Sequence, residues 1–279
     1  MNYKIVLDSC GEIPENFKQD ERFQSVPLGL EVGDYHILDD ENFNQAEFLM
    51  KVAQSPLCPK SSCPSPELFM EAYHKGEAEH VYVVTLSSHL SGSHNSAELG
   101  KQLYLEKYGD KKIAVIDSES ASCGETQIAL KAMELEETGL GFEEIVSALL
   151  AYRDEMKTYF VLDNLETLRK NGRLTGVKAL VASTLSIKPV MGATGGKIIQ
   201  LGQAIGIKKA LQKMVDMIVK NCSRPQEKRL MIAHCNCLER AQYVQKLLEE
   251  KTSFQEIRIM DTAGVSSMYA NDGGIIVTV

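Results

Sequence analysis

The chain has 279 residues, 44% of them hydrophobic and 24% charged, the composition of a globular protein with room for one large domain or two modest ones. Its net charge is −8 and its Lys and Arg form no stripe, which excludes nucleic acid as a partner because phosphate neutralisation needs clustered cations. No apolar stretch approaches the roughly 18 residues of a membrane span, so no stable membrane insertion is expected.

In chain order, the N-terminal "MNYKIVLDSCGEIPENF" resembles neither a signal nor a transit peptide, and a cytoplasmic location is expected. Within it "YKIVLDS" (Tyr3 to Ser9) predicts a strand ending in Asp-Ser. "PSPELFMEAYHK" predicts a helix, with Ser65 and Pro66 as its N-cap and first-turn pair. "VYVVTLSS" (Val81 to Ser88) predicts a second strand and "NSAELGKQLYLEKY" a helix. "KIAVIDSES" (Lys112 to Ser120) predicts a third strand, again ending in Asp-Ser, before the helical "GETQIALKAMELEETG". The strands are almost continuously apolar and alternate with helices, as in a parallel sheet buried on both faces. Ligands bind such sheets beyond the carboxyl ends of the strands, where all three hydroxyl-rich turns fall.

After about residue 157 the texture changes. "TYFVLDNLETLRKNGRL" reads as a strand and a short helix stopped near Asn171-Gly172. "IKPVMGA" and "KIIQLGQA" flank Thr194-Gly195-Gly196, a hairpin signal. "IKKALQKMVDMIVKN" is an amphipathic helix, followed by strand "EKRLMIAH", helix "LERAQYVQKLLEEK", strand "FQEIRIMD" and a last strand "GGIIVTV". The expected architecture is α/β with two domains, a mostly parallel one over 1–157 and one with a mixed sheet over 158–279, the ligand lying between them. The seven Cys are scattered and odd in number, which suggests free thiols. "HCNC" (His234 to Cys237) has no second pair at ligand spacing, so no metal site is expected.

The turn "SSHLSGSHNS" carries more hydroxyls than a helix cap uses. Ser87, Ser88, Ser91 and Ser93 surround Gly92 at a helix N-terminus, where spare hydroxyls and free backbone N–H groups suit an anionic oxygen. No cation accompanies them, which favours a carboxylate or a single phosphate. In "KSSCPSPELF", Ser61 and Ser62 lie upstream of the cap and remain available.

Six motifs in this order make the chain resemble the DegV family of bacterial fatty-acid-binding proteins over nearly its whole length. They are "IVLDSCGEIP", "SSCPS" (Ser61 to Ser65), "SSHLSGS" (Ser87 to Ser93), "DSESASCG" (Asp117 to Gly124), "LETLRKNGR" (Leu165 to Arg173) and "SIKPV". The resemblance implies one long-chain fatty acid held without a further cofactor or metal. Its carboxylate would sit on Ser61, Ser62, Ser88, Ser91, Gly92 and Ser93, and its acyl chain in an apolar tunnel. Arg173 would stand at the ligand mouth or on a partner surface. It also implies a carrier with no catalytic residue, presenting the carboxylate to a separate fatty acid kinase subunit. The family's Thr is Ser at 61 and 93, its Gln is Cys63, and the first Gly of its Gly-Gly-Arg turn is Asn171. "GQAIGIKKA" lacks a common Arg, and "DTAGVSSMYANDGGIIV" lacks a common His. Two other classes stay open, a Ser-dependent hydrolase and a phosphotransfer enzyme using the same strand-end site. "LSGSH" lacks the nucleophile-elbow spacing, and the chain has no Walker A or dinucleotide glycine pattern.

Overall fold

The computed structural model describes residues 3–174 and 186–279. Strands β1 (Tyr3–Asp8), β2 (Phe23–Val26), β6 (His80–Thr85) and β7 (Lys112–Asp117) form a four-stranded sheet in the order β2-β1-β6-β7, every pairing parallel. Alternation along these strands splits the apolar residues between two faces. Val6, Val81 and Val83 pack under α2 (Pro66–His74) and α3 (Ser93–Tyr108) with Phe69, Tyr73 and Ala97. Ile5, Leu7, Tyr82 and Val84 face α4 (Cys123–Glu136) and α5 (Phe142–Glu155) with Ile128, Ile145 and Leu149. Both faces are dry, which is why the strands read as unbroken apolar runs.

A six-stranded sheet joins β8 (Thr158–Val161), β9 (Ile187–Thr194), β10 (Lys197–Ile205), β11 (Arg229–His234), β12 (Glu256–Asp261) and β13 (Ile275–Thr278) in the order β10-β9-β8-β13-β11-β12. Only the β11–β12 pairing is parallel, so the sheet is mixed as expected. Its outer face packs on α7 (Ile207–Asn221) and α8 (Leu238–Glu249). The β9–β10 hairpin closes through Gly195 and Gly196, with φ of 52° and 73°, the two left-handed residues that a two-residue turn needs.

The other face of the second sheet meets α4, which therefore lies between the sheets. Met231 and Ala233 of β11 belong to the same buried cluster as Ile5, Tyr82 and Ile128. Gln127 of α4 is fully buried and donates through Nε2 to Arg229 O (2.9 Å) and Thr278 O (3.2 Å). A polar side chain here is tolerated because its donors are satisfied.

Five features were not read from the sequence, the first of them strand β2. A small antiparallel sheet joins β3 (Gly29–Val32), β4 (Tyr35–Leu38) and β5 (Lys60–Ser62) in the order β4-β3-β5. Helix α1 (Gln45–Gln54) starts on Asn44, whose side chain accepts from Glu47 N. Helices α5 and α9 (Gly264–Ala270) are the others. The small sheet, α1 and α9, with α6 (Glu166–Lys170), lie beyond the first sheet, whereas α5 packs on its face.

Candidate functional site

The two Asp-Ser turns are consumed by local stitching. Asp8 is fully buried and accepts from Leu86 N (2.9 Å) and Cys10 N (3.1 Å), joining the ends of β1 and β6. Ser9 Oγ accepts from Leu28 N at 3.0 Å. Asp117 accepts from Ser88 N and Glu119 N, and Ser118 Oγ from Ser120 N.

The hydroxyl turn between β6 and α3 divides its work. Ser87 is buried; its Oγ donates to Gly196 O at 2.7 Å and accepts from His89 N. The tip of the β9–β10 hairpin is thereby fastened to the first sheet. Ser88 is exposed and held only through its backbone. Ser93 is buried and its hydroxyl bonds to Asp8. A Cβ on Gly92 would lie 3.1 Å from Cys63 Sγ, so glycine there lets the two hydroxyl turns close on each other. Ser91 faces the interior; its Oγ lies 3.2 Å from Ser93 Oγ and accepts from Ser93 N. The N-terminus of α3 thus has a serine cap-like turn, yet the same hydroxyl reaches a cavity. His94 turns its Nδ1 to Thr85 Oγ1 (3.3 Å) rather than to a serine of the turn.

Across this turn, β5 presents Ser61 inward and Ser62 outward, as strand alternation requires. Ser62 packs beside Gly29, where a Cβ would come within 2.5 Å of its Oγ. Ser65 and Pro66 take the first positions of α2 as predicted, without a side-chain cap bond to the backbone. Ser61 Oγ lies 3.1 Å from the Tyr269 hydroxyl, which α9 delivers from the far end of the chain. Arg173 follows the turn that ends α6, where Gly172 (φ 75°) donates to Arg169 O. Its guanidinium donates to Leu90 O (3.1 Å) and to Asn171 O, and stands 5.7 Å over the Tyr269 ring.

Ser61, Ser91, Arg173 and Tyr269 rim a cavity that is partly open to solvent. Its walls are mainly apolar: Leu28, Leu86, Leu90, Phe160, Leu162, Leu168, Ile198, Val265 and Ile276. Of the residues singled out from sequence, Ser61, Ser91 and Arg173 line it, whereas Ser62, Ser88, Gly92 and Ser93 do not. Arg173 brings a cation to the same lining as the serines. Both halves supply polar rim (Ser61 and Ser91; Arg173 and Tyr269) and both supply apolar wall. Tyr269 was missed in the sequence because nothing in "SSMYAN" sets it apart from a core aromatic.

Beneath the cavity lies a set of buried carboxyls. Glu12 accepts from Ser122 Oγ (3.0 Å to each oxygen) and Ala263 N, and burial pushes it up to about 7. Burial likewise raises Asp8 to about 6, against the pull of its backbone donors. Glu125 has no exposure, and neither oxygen accepts a hydrogen bond. Burial and the Asp8 charge push it well above the carboxylate range. A protonated Glu125 donating to Asp8 satisfies both groups. Asp39 accepts from Gly264 N (2.7 Å) and Val265 N (2.8 Å), anchoring the start of α9. In "HCNC", Cys235 Sγ donates to Ser267 O and Cys237 Sγ to Gly274 O, and His234 Nδ1 accepts from Cys237 N.

Comparison with known proteins follows the same lines. The DegV family model, described as an uncharacterised protein family, matches residues 2–278. A DegV domain-containing protein of Streptococcus pneumoniae is 35% identical over 285 residues, covering 99% of this chain and 98% of the relative. Among solved structures, a DegV family protein from Ruminococcus gnavus refined with vaccenic acid is 53% identical, with a TM-score of 0.97 and full coverage of both chains. The Streptococcus pneumoniae Fatty Acid Kinase B3 protein loaded with linoleic acid is 33% identical, with a TM-score of 0.88, covering 100% of this chain and 99% of that one.

Proposed function

The chain belongs to the DegV family, and from that premise we propose that it is a non-catalytic carrier of one long-chain fatty acid. The observation that carries this reading is the mainly apolar cavity ending on Ser61, Ser91, Tyr269 and Arg173. An acyl chain takes the apolar wall, where each buried methylene contributes about 0.8 kcal/mol. The carboxylate takes the hydroxyls, with the Arg173 guanidinium as counter-charge. The cavity spans the seam between two domains, which we set at 1–157 and 158–279 because each sheet draws its strands from one side of that boundary. Support for the ligand class comes from the relatives with vaccenic and linoleic acid. The pneumococcal relative's name supports presentation of the bound acid to a separate kinase, which forms the acyl-phosphate while this chain does no chemistry.

Native mass spectrometry of the purified protein tests the reading. A retained fatty acid, exchangeable for added stearate after delipidation, is expected. A protein that arrives empty and takes up no fatty acid after delipidation overturns it. Acyl-phosphate formation with a fatty acid kinase and ATP, dependent on this chain, tests the carrier step.

A further inference from the structure

The cavity has a second polar patch, chemically opposite to its rim. Cys10, Ser122 and Ser266 line it around the buried Glu12. The two serine protons are already committed. Ser122 Oγ donates to the Glu12 carboxylate, 3.0 Å from both oxygens. Ser266 Oγ donates to Cys10 O at 3.1 Å and lies 3.8 Å from Cys10 Sγ. A serine hydroxyl has one proton and two lone pairs, so what these residues retain is acceptor capacity. Ser122 also holds φ at 58°, a strained backbone for a residue with a Cβ. The rim is different: Arg173 has donors only, and the Ser61–Tyr269 pair keeps a hydroxyl proton to give.

From this geometry we infer that the cavity accepts fatty acids bearing a hydroxyl on the chain, with Ser122 and Ser266 receiving the hydroxyl proton. The inference rests on the fatty-acid reading above. A carboxylate or ketone cannot use the patch, because neither brings a proton and Glu12 lies behind it. Ser266 and Tyr269 are three residues apart on α9, a helical rise of about 4.5 Å. The favoured hydroxyl is therefore on the carboxyl half of a long chain.

The test is a set of hydroxystearic acids with the hydroxyl at successive carbons, the matching ketostearic acids, and stearic acid, titrated into delipidated protein at pH 8. That pH lies above the value near 7 to which burial lifts Glu12, so the carboxylate accepts from Ser122 while Ser266 donates to Cys10 O. An apolar pocket strips water from a hydroxyl and leaves it unpaired, which weakens binding about tenfold or more. The expected result is that one or more isomers in the carboxyl half bind within about threefold of stearate, while the ketone at the same carbon is at least tenfold weaker. Ser266→Ala and, separately, Ser122→Ala each lower the ratio of hydroxystearate to stearate affinity about tenfold. The ratio is taken within one protein, so a general change in the cavity cancels. The inference is overturned if every hydroxy isomer is tenfold weaker than stearate, if hydroxyl and ketone bind alike, or if neither substitution moves the ratio. Failure of the wild type to bind stearate sinks the fatty-acid reading instead.

Discussion

Ser61→Ala separates a ligand hydroxyl from a structural one. Ser61 sits on β5, whose pairing with β3 uses the backbone at Leu30 and Ser61 and leaves the side chain free. Its Oγ meets the Tyr269 hydroxyl at 3.1 Å and lines the cavity. A hydrogen bond to a carboxylate contributes about 1.5–3 kcal/mol, against about 0.5–1.5 for a neutral group. Ser61→Ala is therefore expected to weaken stearate binding roughly ten- to a hundredfold and stearyl alcohol only about two- to tenfold. Tyr269→Phe behaves alike, and the two together cost less than their sum because they share one partner. Ser91→Ala carries an extra signature, since Ser91 Oγ accepts from Ser93 N at the start of α3. Loss of such a cap costs about 1 kcal/mol, or a Tm drop of about 1.5–2 °C in a chain of this size. Isothermal titration with both ligands and a melting curve on each variant make the measurement. If Ser61→Ala keeps the wild-type preference for acid over alcohol, the rim is not a carboxylate site and the reasoning fails.

The hairpin latch gives a second expectation. A Cβ on Gly196 would lie 2.5 Å from Ser87 Oγ at φ 73°, so Gly196→Ala lowers Tm, and adding Ser87→Ala recovers part of the loss; additive losses would refute the contact. Stability should also fall with rising pH through the neutral range. Asp8, Asp39 and Glu12, raised to about 6, 6 and 7, bind more protons folded than unfolded, so their contribution is full below the unfolded carboxylate range and lost as pH passes those values. Tm is expected to be higher at pH 5.5 than at pH 8, and Glu125→Gln to raise Tm most at pH 8; a flat profile contradicts the buried-carboxyl account. Finally, stearate at a hundred times its Kd adds about 2.7 kcal/mol, which with an unfolding entropy of about 0.6 kcal/mol/K for 279 residues raises Tm by about 4–5 °C. No rise on adding stearate to the delipidated protein would count against a site in the folded state.

Much of the frame was legible in sequence because it is repetitive. Val81 to Leu86 could only be a strand buried on both faces, and Thr194-Gly195-Gly196 only a tight reversal. The hydroxyl turns were legible as a place but not as roles. Periodicity gives no way to tell that Ser87 faces a backbone carbonyl more than a hundred residues on, that Ser93 faces Asp8, and that Ser91 alone faces the cavity. Ser61 and Ser62 illustrate the same limit: alternation says they point oppositely, and only the partner strand β3 decides which is inward. Tyr269 and Arg173 were beyond reach together, because their approach is made by tertiary packing of α6 against α9.

The polar cost of the turns also explains why the seam holds. A carrier must open enough to load a chain and yet keep two sheets in register. Across the seam, α4 packs on both sheets, with Gln127 bonded to Arg229 and Thr278. Ser120 Oγ also lies 2.7 Å from Thr158 Oγ1, the first residue of the second sheet. Buried and fully paired, such bonds are costly to break singly, because each leaves an unsatisfied partner worth about 1–3 kcal/mol. The Ser87–Gly196 contact is one hydrogen bond at a hairpin tip, beside the same cavity. The seam is therefore rigid along α4 and lightly fastened at the hairpin. The lightest fastening lies where β9 and β10 meet the hydroxyl turn, apart from the β1–β6 pairing behind Ser91 and the β3–β5 pairing that carries Ser61.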